Sequence, residues 1–414
     1  MKGSRVYVEM NVAVVGHVDH GKSTLIGRIL YDSESLPEDR LAEIQKLLEE
    51  YKKRFEFAYF LDSFEEELKE ERTIDTTRVF FKGKERLYTI VDVPGHREFI
   101  KNMLTGASRA DIAILVVAVD EGVREQTKRH SFLLSLLGIN KVIVLINKMD
   151  LVQYRGEEFE RVKGEVSELL SSFKISPLNF IPISALEGDN VYKRSRWMDW
   201  YKGPTFIEAL DAVEEVRRTE RPLRFVVQGI YEGIVVGRVE SGVLRRGDEL
   251  LFLPSGFKGR VEGIKRYPED IEEAFEGDSI GIITGSRPER GDVGGRLSAP
   301  PVSSRGFLGE VVILEGGVEK GEEVLIKCGT RRVRGLVKEI RERIDSETGE
   351  ILEKNPAKIP EGDAGVFVFD TEPIVLEKFS EIPELGRFVL IRNGRNIGAG
   401  IVLANIPETN KGSG

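Results

Sequence analysis

Cysteine is nearly absent: Cys328 is the single thiol in 414 residues. One thiol closes no internal disulfide and builds no metal cluster, which fits a reducing compartment. Long hydrophobic runs are missing too. No uncharged apolar stretch approaches the ~18 residues of a membrane-spanning helix, and Met1 leads directly into Lys2-Gly3-Ser4-Arg5 with no apolar signal segment. The expectation is a cytoplasmic chain with no membrane partner. A basic excess is also lacking, since 61 Lys+Arg stand against 70 Asp+Glu for a formal net charge of −9. Any nucleic-acid contact must therefore come from a local basic face. What is present excludes a mainly disordered or collagen-like chain, because 40% hydrophobic and 32% charged residues allow a buried core under a charged surface. At ~100–200 residues per domain, the length suggests two to four domains.

The first half alternates short apolar runs with segments of helical period. Asn11–Val15, Tyr88–Val91, Ile112–Val117, Val142–Ile146 and Phe180–Ile183 read as buried strands. Amphipathic stretches near 22–31, 96–106, 125–137 and 157–173 lie between them. That alternation predicts an α/β domain, a mostly parallel sheet with helices on both faces. The charged stretch Glu214–Pro222 reads as a linker, after which helical periodicity stops. Short strands then arrive between glycine turns, with a second boundary at Ser298-Ala299-Pro300-Pro301-Val302-Ser303. Two all-β barrel domains are the natural reading. The predicted domains are 1–218, 219–301 and 302–414, the last ending in a short flexible tail.

Gly16-His17-Val18-Asp19-His20-Gly21-Lys22-Ser23 follows an apolar strand and opens a helix. This is the G-x-x-x-x-G-K-S pattern in the context it requires. Glycines let backbone N–H groups close on phosphates at a helix N-terminus, Lys22 neutralises β/γ charge, and the Ser23 hydroxyl suits Mg²⁺. Three later elements choose the nucleotide. Asp92-Val93-Pro94-Gly95 ends the next strand, where a carboxylate holds Mg²⁺ through water and the Gly95 N–H senses the γ-phosphate. In Asn147-Lys148-Met149-Asp150, the Asp accepts from N1–H and the 2-amino group, a donor pair adenine lacks. Ser184-Ala185-Leu186 offers a backbone N–H to the guanine carbonyl. All four stand in order at strand C-termini, so the cofactors read as GTP/GDP with Mg²⁺. His96, directly after Gly95, is the candidate that orients the attacking water beside Lys22. Of the four histidines, only His130 reads as a helix-surface residue.

These residues are also familiar. Gly16–Thr24, Asp92-Val93-Pro94-Gly95-His96-Arg97 and Asn102–Ser108 resemble the translation-factor GTPases of the elongation factor one-alpha and elongation factor Tu type. The resemblance continues through Gly188–Val191, Trp200–Pro204, Val236–Gly242 and Leu376–Ser380. It implies a P-loop GTPase domain followed by two β-barrels, with GTP switching how they pack. It implies a nucleotide cradle of Val18, Asp19, His20, Gly21, Lys22, Ser23 and Thr24, with Thr73 joining Ser23 and Asp92 around Mg²⁺. It further implies a GTP-hydrolysing monomer acting on tRNA at the ribosome, with a guanine-nucleotide exchange factor as a further partner.

A second branch of the superfamily competes. Arg129–Leu133, Ser135–Ile139, Glu272–Gly277 and the strand pair Ile326–Arg334 resemble the GTPase subunit of sulfate adenylyltransferase, whose partner is a catalytic subunit of sulfate activation. That subunit usually carries Asp where this chain has His20. A third reading is a GTP-gated binding module with negligible turnover. Two departures from the elongation factors point to a divergent paralogue. The first switch, Glu71-Arg72-Thr73-Ile74-Asp75, is short and sets Arg72 where an apolar residue flanks the catalytic histidine. The first barrel has a clipped loop, Ile230–Ile234, where the family shapes an aminoacyl pocket.

The basic run Arg331-Arg332-Val333-Arg334, continuing through Lys338, Arg341 and Arg343, reads two ways. It tracks an RNA backbone, or it is a solvated strand face alternating with Val333, Leu336 and Ile340; the second is favoured. The insert Leu36–Glu71 carries Leu41, Ile44, Leu47, Leu48 and Tyr51 at helical spacing, a stripe expected to pack on the core. Cys328 reads as a small buried hydrophobe.

Overall fold

The computed structural model describes residues 9–35, 78–84, 86–91, 110–214 and 221–406. The insert, the helix expected at 96–106, and Thr73, Asp92, Gly95 and His96 lie outside the described residues. The described residues fall into two compact units, one up to Glu214 and one from Arg221 on.

In the first unit, strands β1 (Glu9–Gly16), β2 (Arg78–Lys82), β3 (Leu87–Val91), β4 (Ile112–Ala118), β5 (Val142–Asn147) and β6 (Asn179–Pro182) form one sheet in the order β2-β3-β1-β4-β5-β6. Every pairing is parallel except β2 with β3. Every residue of β4 and β5 is buried, which is why they read as unbroken apolar runs: both faces are covered. Helices α1 (Lys22–Asp32) and α4 (Phe206–Asp211) bury Leu25, Ile29, Phe206 and Leu210 against Val12, Val14, Ile114, Val116, Ile143 and Leu145. Helices α2 (Glu125–Leu136) and α3 (Gly156–Ser172) pack on β1, β4 and β5 from the other side. In α3, Phe159, Val162, Val166 and Leu170 make the buried stripe that the helical period demands.

The sequence reading omits two elements. The edge strand β2 alternates buried Val79, exposed Phe80 and buried Phe81, a pattern too short to separate from the polar stretch before it. The six-residue α4 carries its own start signal: Thr205 accepts the Glu208 N–H at 3.3 Å, and the Glu208 carboxylate accepts the Thr205 N–H at 3.0 Å.

The second unit is entirely β among the described residues. Its first sheet is antiparallel, in the order 257–260, 249–253, 293–296, 224–231, 234–241, 279–283, 263–266 and 269–271, and it encloses Phe225, Val235, Leu250, Phe252 and Ile282. A two-residue turn, Glu232-Gly233, joins 224–231 to 234–241 with both residues at positive φ, the geometry of a tight hairpin. The second sheet runs 323–328, 387–392, 395–405, 303–313, 364–375, 331–344 and 351–354, and strand 331–344 also pairs back onto 323–328. That closure makes a six-stranded barrel around Phe307, Phe367, Phe369 and Phe388.

The Ser298–Ser303 boundary is an anchored junction between the two barrels. Arg224 donates to the carbonyls of Ala299 and Pro300 and forms a buried ion pair with Glu377. Arg221 pairs with Glu384 at 3.1 Å, and Thr330 Oγ1 donates to the Val227 carbonyl at 3.0 Å. Cys328 is buried as expected; burial pushes its thiol up to about 12.

Candidate nucleotide site

The parallel order brings the carboxyl ends of β1, β4, β5 and β6 to one end of the sheet, with β4 between β1 and β5, and in such sheets ligands sit beyond the carboxyl ends of the strands. The loop after β1 has the geometry of a phosphate cradle. Asp19 and Gly21 take positive φ, and Gly21 is the N-cap of α1. A glycine offers no side-chain acceptor, so the first-turn N–H groups of α1 remain for an anion. Gly21 is required on a second count: a Cβ there would stand 2.4 Å from Asn147 Nδ2. Lys22 Nζ donates to the carbonyls of Gly16 and His17 at 3.0 and 2.6 Å, which folds its ammonium back over the loop. Ser23 and Thr24 follow in the first turn of α1, half-buried, and Val18 is 55% exposed at the loop's outer edge.

Asn147, at the end of β5, is buried and ties two loops together. Its Nδ2 donates to the His20 carbonyl at 2.9 Å, and its Oδ1 accepts the Ala185 N–H at 2.9 Å. Lys148 is left-handed, with its ammonium 3.7 Å from Glu121 and 3.9 Å from Asp120. Asp150 Oδ1 accepts the Ser184 hydroxyl at 2.6 Å, so the Asp150 and Ser184 loops are joined directly. The sequence-predicted residues Val18, Asp19, His20, Gly21, Lys22, Ser23, Thr24, Asn147, Lys148, Asp150, Ser184, Ala185 and Leu186 thus occupy adjoining loops at one end of the sheet.

His20 is fully buried, its Nδ1 3.3 Å from the Val116 carbonyl and its Nε2 3.7 Å from Glu121. Burial pushes its pKa down to about 4, against the opposing pull of that carbonyl and of Glu121. The imidazole is neutral at pH 7.

His130 corrects the sequence reading. It is 6% exposed, and its Nδ1 accepts the Gly16 N–H at 3.2 Å, so it faces the phosphate loop and not solvent. One turn earlier on α2, Gln126 Oε1 accepts the Val18 N–H at 3.0 Å. The i, i+4 spacing of Gln126 and His130 was a readable sign that both side chains share one helix face. Arg28 was also missed: on α1, it donates to the carbonyls of Ala185 and Leu186.

The donor set fits its ligands. A helix N-terminus with a lysine folded over it suits polyphosphate, and the Ser23 hydroxyl beside it is a hard oxygen ligand of the kind Mg²⁺ takes. Loop and sheet together have the architecture of a P-loop nucleotide-binding protein, with the Asp150 carboxylate and the Ser184 loop at the same end of the sheet.

Comparison with known proteins narrows the class. Residues 8–218 match the Elongation factor Tu GTP binding domain family, 232–293 match Elongation factor Tu domain 2, and 306–403 match the GTP-eEF1A C-terminal domain-like family. Elongation factor 1-alpha of Archaeoglobus fulgidus is 42% identical over 96% of this chain and 98% of its own length. The proteins of that name from Methanothrix thermoacetophila and Pyrococcus furiosus are 42% and 41% identical, each over 95% of this chain and 97% of theirs. The chain belongs to the elongation factor 1-alpha family of translation-factor GTPases. It is a GTPase that binds GTP and GDP with Mg²⁺.

Proposed function

We propose that this GTPase carries tRNA to the ribosome under control of its nucleotide. The observation behind the reading is similarity over 95–96% of the chain, both barrels included, to proteins named elongation factor 1-alpha. That name favours the translation branch over a partner subunit of sulfate activation. In this reading the domains are 1–218, 219–301 and 302–414, and the protein works as a cytoplasmic monomer served by an exchange factor.

The site roles follow from the chemistry. Lys22 neutralises β/γ-phosphate charge, and the Asp150 carboxylate reads N1–H and the 2-amino group of guanine. Ser23, Thr73 and Asp92 hold Mg²⁺, which when bound neutralises phosphate charge. Gly95 senses the γ-phosphate through its N–H, and His96 orients the attacking water.

The basic strand supports an RNA contact in part. Arg331, Lys338, Arg341 and Arg343 are each within 4 Å of a carboxylate: Asp292, Asp370, Glu339 and Asp363 respectively. Lys327 and Arg332 stand directly opposite on paired strands, and Arg290 lies close enough to act on Lys327. Burial, with Arg332 and Arg290 adding to it, lowers the Lys327 pKa. Like charges opposite one another are unfavourable unless an anion joins them. Among the described residues none of these three cations pairs with a carboxylate, and we assign them to an RNA phosphate. The two-residue turn at Glu232-Gly233 leaves little loop for an aminoacyl pocket, so binding should depend weakly on the amino acid.

Filter binding of charged and uncharged tRNA, each with GTP and with GDP, tests the reading. GTP-dependent binding that weakens with salt is expected. No GTP-dependent binding of either tRNA overturns it.

A further inference from the structure

We propose that Arg28 is a positioning residue for guanine selection, acting by aiming the Leu186 N–H at the base. The inference rests on the reading of Ser184-Ala185-Leu186 as the loop that meets the 6-oxo group.

Arg28 lies in the second turn of α1, the helix whose first turn forms the phosphate cradle. Its side chain is 13% exposed and paired with Asp32 at 3.4 Å, one helical turn on. From there its Nε donates to the Ala185 carbonyl at 3.2 Å, and its Nη2 donates to the Leu186 carbonyl. Gly188 makes the approach feasible. It adopts φ +81°, and a Cβ on it would stand 3.2 Å from the guanidinium carbon. A planar fork with fixed donors matches two successive carbonyls in a way a lysine ammonium does not.

The consequence follows from peptide geometry. In a planar trans peptide, C=O and N–H point in opposite directions. The Ala185 carbonyl and the Leu186 N–H belong to one peptide, so holding the carbonyl on Arg28 turns that N–H away from α1. The flanking N–H groups are already used. Ala185 N–H goes to Asn147 Oδ1 at 2.9 Å, and Glu187 N–H goes to Ser184 Oγ at 3.2 Å. Among the described residues, the Leu186 N–H is the donor of the loop left for a ligand, and Leu186 is 37% exposed. Asn147 fixes the loop from the β5 side and Arg28 from the α1 side. The phosphate-binding helix and the base-reading loop are therefore joined by one side chain.

The test uses the full chain with three nucleotides: GTP, 6-thioguanosine triphosphate, which differs from GTP at the 6-position acceptor, and ITP, which lacks the 2-amino group. Wild type should prefer GTP to the 6-thio nucleotide by about tenfold, the scale of one hydrogen bond. Arg28→Met should narrow that preference to about twofold, Arg28→Lys should fall between, and the preference for GTP over ITP should stay within about twofold of wild type in both. A wild type indifferent to the 6-position overturns the loop reading itself. A wild type that discriminates, with Arg28→Met discriminating equally, overturns the role of Arg28 alone. An equal loss of affinity for all three nucleotides would mark a general loosening of α1 and overturn that role as well.

Discussion

Around the loops 147–150 and 184–186, Asn147, Arg28 and Ser184 each bond across to a loop other than their own, and Asn147 and Ser184 are buried. On the strand Arg331–Ile344, charged side chains stand mostly in solvent, and Lys338 and Arg343 meet the carboxylates of Asp370 and Asp363. Both regions are rich in polar groups, yet the same kind of contact has different weight in each. A buried polar group that loses its partner costs about 1–3 kcal/mol, and more when charged, whereas an exposed ion pair contributes about 0–1 kcal/mol. The junction between the barrels resembles the first region, because Arg224 and Glu377 are charged and almost wholly buried. Burial, and not charge density, decides which polar residues hold this molecule in shape.

The strongest challenge to that comparison is Arg224→Ala. It leaves Glu377 buried and unpaired, and the second unit should lose about 3–5 kcal/mol. Arg224→Met combined with Glu377→Leu should recover most of it. Hydrogen exchange of the amides in strands 224–231 and 303–313 measures both; an effect below about 1 kcal/mol for the single variant would place this pair with the surface pairs.

Next comes Asp150→Asn. Exchanging a carboxylate for an amide replaces an acceptor pair by a mixed donor and acceptor, so GTP binding should weaken by about 2–4 kcal/mol while xanthine nucleotides gain. A nucleotide titration reads both changes, and unchanged GTP affinity removes Asp150 from the site.

His20 gives a smaller, pH-dependent effect. Its folded pKa of about 4 lies below the unfolded value near 6.5, so between these values the unfolded chain binds more protons. Its contribution is therefore fully present above about pH 6.5 and lost as pH falls toward 4. From pH 7 to pH 5 the first unit should lose about 2 kcal/mol from this group. Urea unfolding followed by Trp197 and Trp200 fluorescence at the two pH values checks it. The part due to His20 should vanish in His20→Asn.

The smallest effects belong to the basic strand. Arg341→Ser, which removes a 3.8 Å surface pair with Glu339, should change stability by less than about 1 kcal/mol. It should also leave the salt dependence of tRNA binding unchanged. Lys327→Ser and Arg332→Ser should each flatten the slope of log K against log salt by roughly 0.7–0.9. Equal slopes in all three variants would return the whole strand to the surface class.

Much of the site was readable because it is local. The phosphate loop, Asn147–Asp150 and Ser184–Leu186 each combine a distinctive residue set with a preceding apolar run, and β1, β5 and β6 carry them. Residues that act across the fold were not readable. His130 looked like a surface residue because nothing in its own segment shows that β1 lies against α2. Arg28 carries no signal in its own segment, because Gly188, which stands beside it, lies 160 positions later. The alternation assigned to the basic strand was also displaced. Val333 and Ile340 face inward as expected, but Leu336 is 39% exposed, and Gly335 and Val337 take the inward places. A register shift between Val337 and Glu339 offsets the pairing with the neighbouring strand, and no local pattern encodes it.

The sequence by itself determined the order of elements, the apolar runs that become β1 and β3–β6, and the glycine and lysine of the phosphate loop. Short-range sterics and periodicity specify each of these within a few residues. Tertiary structure alone decided which polar side chains became braces. Desolvation depends on neighbours brought from far along the chain: the His20 and Ala185 loops meeting over Asn147, α2 presenting His130 to Gly16, and one barrel closing Arg224 onto Glu377 of the other. The charges were visible in the sequence. Their weight was set by the water that folding removed.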